Sequence, residues 1–78
     1  MAADKHTFSL ASVEKILRKA GSQRNSEDAK AALSLALEEI ALEISKRALD
    51  LASHAGRRTV MGKDIYLASK ETKPLKDK

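Results

Sequence analysis

The chain has 78 residues, 15 Lys/Arg against 11 Asp/Glu for a net charge of +4, and no cysteine. That length suits one domain, and the missing cysteines exclude disulfides and thiolate metal sites. Aromatics are 3% of residues, so any core must be aliphatic. No run approaches the ~20 apolar residues of a membrane span. The opening MAADKHTF also lacks the apolar stretch of a signal peptide. The expectation is a soluble, cytoplasmic protein with no membrane partner and no cofactor.

Charge is unevenly spread. Residues 1–25 carry five Lys/Arg against two acids, residues 26–55 three against six, and residues 56–78 seven against three. An acidic middle between basic flanks invites a polyanion, nucleic acid or an anionic membrane surface.

In chain order, residues 1–8 read as a flexible polar lead-in. LASVEKILRKAG follows, with Leu10, Val13, Ile16, Leu17 and Ala20 at helical spacing and Lys15, Arg18 and Lys19 on other faces. Ser9 can cap this first helix and Gly21 sits where a stop belongs. SQRNS is a turn-rich connection, and Ser26 is a good cap for what comes next. Glu27 and Asp28 there complement the dipole of a second helix.

That second helix runs without glycine or proline from Glu27 to Ala55 and would be roughly 43 Å long. After Gly56 and a short Arg57–Arg58–Thr59 loop, a third helix is predicted from about Met61 to Lys70, burying Ile65, Leu67 and Ala68. Gly62 falls in its first turn, a weak helix former that would delay its start. The tail from Thr72 to Lys78 is polar and lysine-rich, and Pro74 ends any helix that reaches it. Domain boundaries follow: lead-in 1–8, an all-α domain 9–70, and a short basic tail 71–78.

The long helix is apolar on two stripes. Leu33, Leu37, Ile40, Ile44, Ala48 and Leu51 recur at spacings of three and four, and Leu35, Leu42 and Leu49 at seven. Two flanking helices of about three turns each cannot wrap a helix of about eight turns. Leaving ~400 Å² of apolar surface wet forgoes on the order of 10 kcal/mol, comparable to a domain's whole stability. The expectation is an obligate dimer with Leu33, Leu37, Ile40, Ile44 and Ala48 in its core.

The short–long–short layout, with AGSQRNSEDA before the long helix and LASHAGRRTVMGKDIYLA after it, resembles the histone fold, and more closely the small archaeal histones. The similarity runs from about Leu10 to Ala68. Its most specific pieces are Ala20, Gly21, Arg24 and Ser26, and the run HAGRRTV followed by Asp64 and Ile65.

The resemblance implies a head-to-tail handshake dimer in which the first loop of one chain lies beside the second loop of the other. It also implies wrapping of double-stranded DNA without sequence preference, at the chromosome or nucleoid. Arg24, Ser26, Arg58 and Thr59 would face DNA from the paired loops, and Lys15, Arg18 and Lys19 from the first helix. Fixed guanidiniums can grip phosphates or enter the minor groove with no base contact. Arg57 would pair internally with Asp64 to fix the loop's shape. In similar histones the set Leu51, His54, Asp64 and Leu67 joins neighbouring dimers, through an imidazolium–carboxylate contact that would respond to pH.

Other readings stay open. Loop arginines are commonly just solvated, and surface lysines on a helix are ordinary. A histone-fold protein-interaction subunit of a transcription or repair complex would need a different chain to fold. A paralogous histone is a further candidate partner beside a homodimer or higher oligomer. An enzyme is not expected: there is no glycine-rich phosphate loop, no cysteine nucleophile and no cluster of histidines, and Glu38, Glu39 and Glu43 read as solvated charge on a long helix.

Overall fold

The computed structural model describes residues 7–72. Most of the predicted lead-in, and the tail from residue 73 with Pro74, lie outside the described residues. Three helices form, α1 (Leu10–Lys19), α2 (Glu27–His54) and α3 (Gly62–Glu71), with no strand among the described residues.

Local chemistry sets each boundary. Ser9 is extended, and its Oγ accepts the Ser12 amide at 3.1 Å, starting α1. Gly21, at φ +109°, stops it. The Gly21 and Ser22 amides bond back to the Arg18 and Leu17 carbonyls at 2.9 and 3.1 Å, the paired closure that a left-handed glycine permits. Ser26 Oγ accepts the Ala29 amide at 3.2 Å and opens α2. Gly56, at φ +76°, closes α2 by the same device, with the Gly56 and Arg57 amides donating to Ser53 and Ala52 at 2.9 Å.

Met61 precedes α3 and has no oxygen to cap it. Asp64 does that work, its Oδ2 accepting the Met61 amide at 2.8 Å. This anchor holds the helix from Gly62 onward, so the glycine causes no late start.

The chain divides into two compact units at Glu39/Ile40, each holding part of α2. In the first, α1 meets the opening turns of α2. Val13 is fully buried, and Leu17, Leu33 and Leu37 are half-buried. Ser34 is also buried, its hydroxyl donating to the Phe8 carbonyl at 3.4 Å. Phe8, the last residue of the predicted lead-in, is thus held against α2. Lys30 of α2 reaches Glu14 of α1 at 3.7 Å and its own Glu27 at 2.9 Å.

In the second unit α3 lies on the later turns of α2. The fully buried apolar residues are Ala48, Ala52 and Ala68, small side chains that let two helices approach closely. Arg47 of α2 holds Glu71 at the end of α3, Nε to Oε1 2.6 Å.

One expectation needs correction. Ile65 and Leu67, predicted as buried in the third helix, are 40% and 50% exposed, and only Ala68 of that trio is buried. The side of α3 that faces its own chain is defined by Asp64 and Ala68, not by the large aliphatics. Of the stripe expected in the dimer core, Leu33, Leu37, Ile40 and Ile44 are half-buried within the chain and keep part of their surface open, and Ala48 is fully buried. The exposed large apolar side chains of α2 are those of the seven-residue stripe, Leu35, Leu42 and Leu49, each more than half exposed. Among the described residues, no helix is long and apolar enough to cross a membrane, and no group of His, Asp and Glu is placed to hold a metal.

Candidate nucleic-acid interface

Among the described residues, the first unit offers four exposed cations. Lys15, Arg18 and Lys19 are exposed on α1, and Arg24 is exposed in the loop between α1 and α2. Lys15, Lys19 and Arg24 form no ion pair with a described residue. Arg18 does: its Nη2 donates to Glu14 Oε2 at 2.9 Å, one turn back on the same helix. Such an exposed pair at i,i+4 is weak. Arg18 is thus engaged in a bond that a stronger acceptor can replace.

Loop 1 is shaped by its own polar side chains. The Ser22 hydroxyl lies within reach of Asn25 Oδ1 and of the Arg24 carbonyl, and Asn25 is half-buried. These contacts use the backbone of Arg24 and leave its guanidinium exposed. Ser26, predicted to touch DNA, spends its hydroxyl elsewhere. It accepts from Ala29 and donates to Asp28 Oδ1 at 2.7 Å, so its evident task is starting α2 beside Arg24.

In the second unit the adjacent arginines differ. Arg57 Nη1 and Nη2 donate to Asp64 Oδ2 and Oδ1 at 2.8 and 3.0 Å, a two-pronged pair, and Nη1 also donates to the Thr59 carbonyl at 3.1 Å. The Asp64 side chain is 4% exposed and that of Arg57 27%. Arg57 therefore bonds both the loop backbone and the first turn of α3. Arg58 and Thr59, next in sequence, are exposed, and Arg58 has no ion pair with a described residue. Lys63, exposed in the first turn of α3, is a further cation near this loop. It was missed in the sequence because it sits beside the acid Asp64 and reads as half of a neutral Lys–Asp step.

The Arg57 guanidinium, helped by the Met61 amide, holds the Asp64 carboxyl well below its ordinary range, down from 3.8 to about 2. Burial pushes the other way and loses. Asp64 raises Arg57 in turn. A depressed carboxyl stabilises the fold fully above its unfolded value and loses that contribution as pH falls through the folded value. The window here runs from about pH 4 down to about 2. Asp64→Asn is expected to lower the melting temperature at pH 7 by on the order of 10 °C, since it strands a part-buried guanidinium. Its deficit against the native chain should shrink as both are melted at successively lower pH across that window. A constant deficit down to pH 2 would show that the ion pair is not the cause.

The four residues expected to join dimers are placed as follows. Leu51 is half-buried, and His54 and Leu67 are exposed. His54 Nδ1 is 2.9 Å from the Asp50 carbonyl, an acceptor, so Nδ1 carries the hydrogen. The neutral ring then presents only a lone pair at Nε2, and a carboxylate partner requires the imidazolium. Asp64 retains one unused acceptor position, on Oδ1.

The sequence comparisons agree with this geometry. A family model described as "Histone-like transcription factor (CBF/NF-Y) and archaeal histone" matches residues 6–68. A subunit of the archaeal histone HAN1 from Thermococcus zilligii is 49% identical over 61 residues, covering 78% of this chain and 91% of that protein. Probable archaeal histone 3 of Methanocaldococcus jannaschii is 54% identical over 54 residues, covering 69% and 81% of the two chains. A match over most of both lengths, on three helices in the order short, long, short, leaves one conclusion: the chain belongs to the histone-like transcription factor and archaeal histone family and has the histone fold.

Proposed function

We propose that this protein is a chromosome-associated histone whose handshake dimers, built from residues 9–70, bind and wrap double-stranded DNA without reading its sequence. The observation that carries the reading is the division of labour at Arg57 and Arg58. One guanidinium is consumed by Asp64 and Thr59 to hold the loop, and its neighbour is exposed with no ion pair among the described residues. A fold that used both arginines for stability would pair both, and a merely soluble surface would not need the loop fixed.

In the handshake, Arg24 of one chain and Arg58 and Thr59 of the other form a cationic end at each side of the dimer. Lys15, Arg18 and Lys19 of both first helices supply the middle. Phosphate contacts of this kind carry affinity but no sequence information. His54, Leu51, Leu67 and the remaining lone pair of Asp64 are the means of joining one dimer to the next, favoured by protonation of His54.

Titration of random-sequence duplexes across a salt series, with nuclease digestion of the complexes, tests this. The expected result is a steep linear fall of log affinity with log salt, little preference among sequences, and protected fragments of defined length. Uniform digestion, or tight binding to one sequence alone, would overturn it.

A second reading has one observation behind it: the Thermococcus zilligii relative is named as one subunit of a histone. If this chain pairs with a paralogue instead of itself, the purified chain alone will be monomeric or unfolded and will gain helix content on mixing with the partner.

A further inference from the structure

The four exposed cations described in the first unit are not equivalent. Lys15, Lys19 and Arg24 have no ion pair among the described residues, whereas Arg18 is bonded to Glu14 at 2.9 Å, with side chains 62% and 31% exposed. Glu14 has a second cation within reach, Lys30 of α2 at 3.7 Å, through its other oxygen. Lys30 is 13% exposed and is itself held by Glu27 at 2.9 Å, so it faces its own chain and not a ligand. Arg18 and Lys30 together hold the Glu14 carboxyl below its ordinary range, so it is ionised at neutral pH.

The consequence concerns exchange. A phosphate is an oxyanion like a carboxylate and takes a guanidinium in the same planar, two-pronged geometry. A phosphate that reaches Arg18 must displace Glu14. Normally that would leave a carboxylate next to DNA, a repulsive arrangement. Here the displaced group already has a second cation within reach, Lys30 on the neighbouring helix, which it shares with Glu27.

We infer that Glu14 is a built-in stand-in for a DNA phosphate: it occupies Arg18 in the free protein and passes to Lys30 when duplex DNA takes its place. This rests on the DNA-binding reading above and adds a residue to it. Glu14 touches no DNA; it acts through Arg18, as a positioning residue that lowers affinity at the first helix. Binding also shifts Glu14 toward the α1–α2 contact, so occupation of α1 by DNA tightens the packing beneath it.

The test is a mutant cycle on duplex affinity at fixed salt, using Glu14→Gln, Arg18→Gln and the double variant, with Glu43→Gln as a control for net charge. Glu43 is an exposed acid of α2 with no ion pair among the described residues. Glu14→Gln is expected to tighten binding by about twofold per protomer, the value of one exposed i,i+4 pair, and thus about fourfold for a dimer. It should exceed the gain from Glu43→Gln and vanish in the Arg18→Gln background.

Circular dichroism should show unchanged helix content. A measurement without substitution runs beside it: the Glu14 carboxyl carbon resonance should shift on adding duplex. A gain that survives removal of Arg18, a gain no larger than that of the control, or an unmoved resonance would each overturn the inference while leaving DNA binding intact. Absence of any salt-dependent binding by the unmodified protein would instead overturn the reading beneath it.

Discussion

An Arg24→Ala/Arg58→Ala double variant is expected to keep its helices and its oligomeric state while losing most of its affinity for duplex DNA. Neither guanidinium supports the fold. Both residues are exposed and outside every described ion pair, and the one hydrogen bond near Arg24 uses its carbonyl, which alanine also has. Surface substitutions of that kind usually change stability by no more than about 0.5 kcal/mol. The effect on DNA is of another size. Each phosphate contact contributes about 0.9 to the slope of log affinity against log salt. A dimer loses four such contacts, so the slope should flatten by about three to four units, and affinity near 0.1 M salt should fall on the order of 10³-fold. Fluorescence anisotropy with a labelled duplex, repeated at several salt concentrations, measures both. An unchanged slope would mean that these arginines are solvated and that DNA, if bound, lies elsewhere. The informative companion is Arg57→Ala, one residue away from Arg58, which should lose thermal stability because it empties the pair with Asp64.

The second large effect is expected at Leu42 and Leu49, 55% and 52% exposed on α2. If the single chain were the working state, Leu42→Glu/Leu49→Glu would replace two wetted side chains and change little. If a second chain covers them, the same change buries four carboxylates per dimer without partners, a cost of several kcal/mol each before rearrangement. Sedimentation or size-exclusion with light scattering should then show loss of the dimer. Helix content at 222 nm should collapse with it, because a chain this short buries too little surface to hold alone. Glu43→Gln, on the same helix, should leave both measurements unchanged. A folded double variant of native size would remove the basis for the handshake.

Much of the fold was readable residue by residue. Ser9, Ser26, Gly21 and Gly56 mark helix ends through chemistry that needs no tertiary partner, and all four act at the predicted places. What misled was size. Ile65 and Leu67 were expected inside because large aliphatics usually are, yet the seam between α2 and α3 is lined by Ala48, Ala52 and Ala68. Periodicity says that a face is apolar; it does not say which of two apolar faces meets the chain itself. The same limit hid the split between the Leu33 stripe, half-covered at home, and the Leu35 stripe, left open.

At the candidate site, the Arg57–Asp64 contact followed from the family resemblance, and the structure shows its distances. The tie from Glu14 to Lys30 was invisible, because those residues lie on different helices and nothing in their spacing links them. The helix-starting bonds of Ser26 to Ala29 and Asp28 were legible only in part: its spacing marked it as a cap, but not the bond to Asp28.

Tyr66 is the chain's one tyrosine, and there is no tryptophan. It stands 60% exposed on α3, with the Lys70 ammonium 4.9 Å from its ring centre and Leu67 beside it in sequence. All tyrosine emission from the protein therefore originates at a single phenol, on the same helix as the exposed Leu67. Without any label, its quantum yield and its access to a neutral quencher report on whether another molecule has settled over that part of α3.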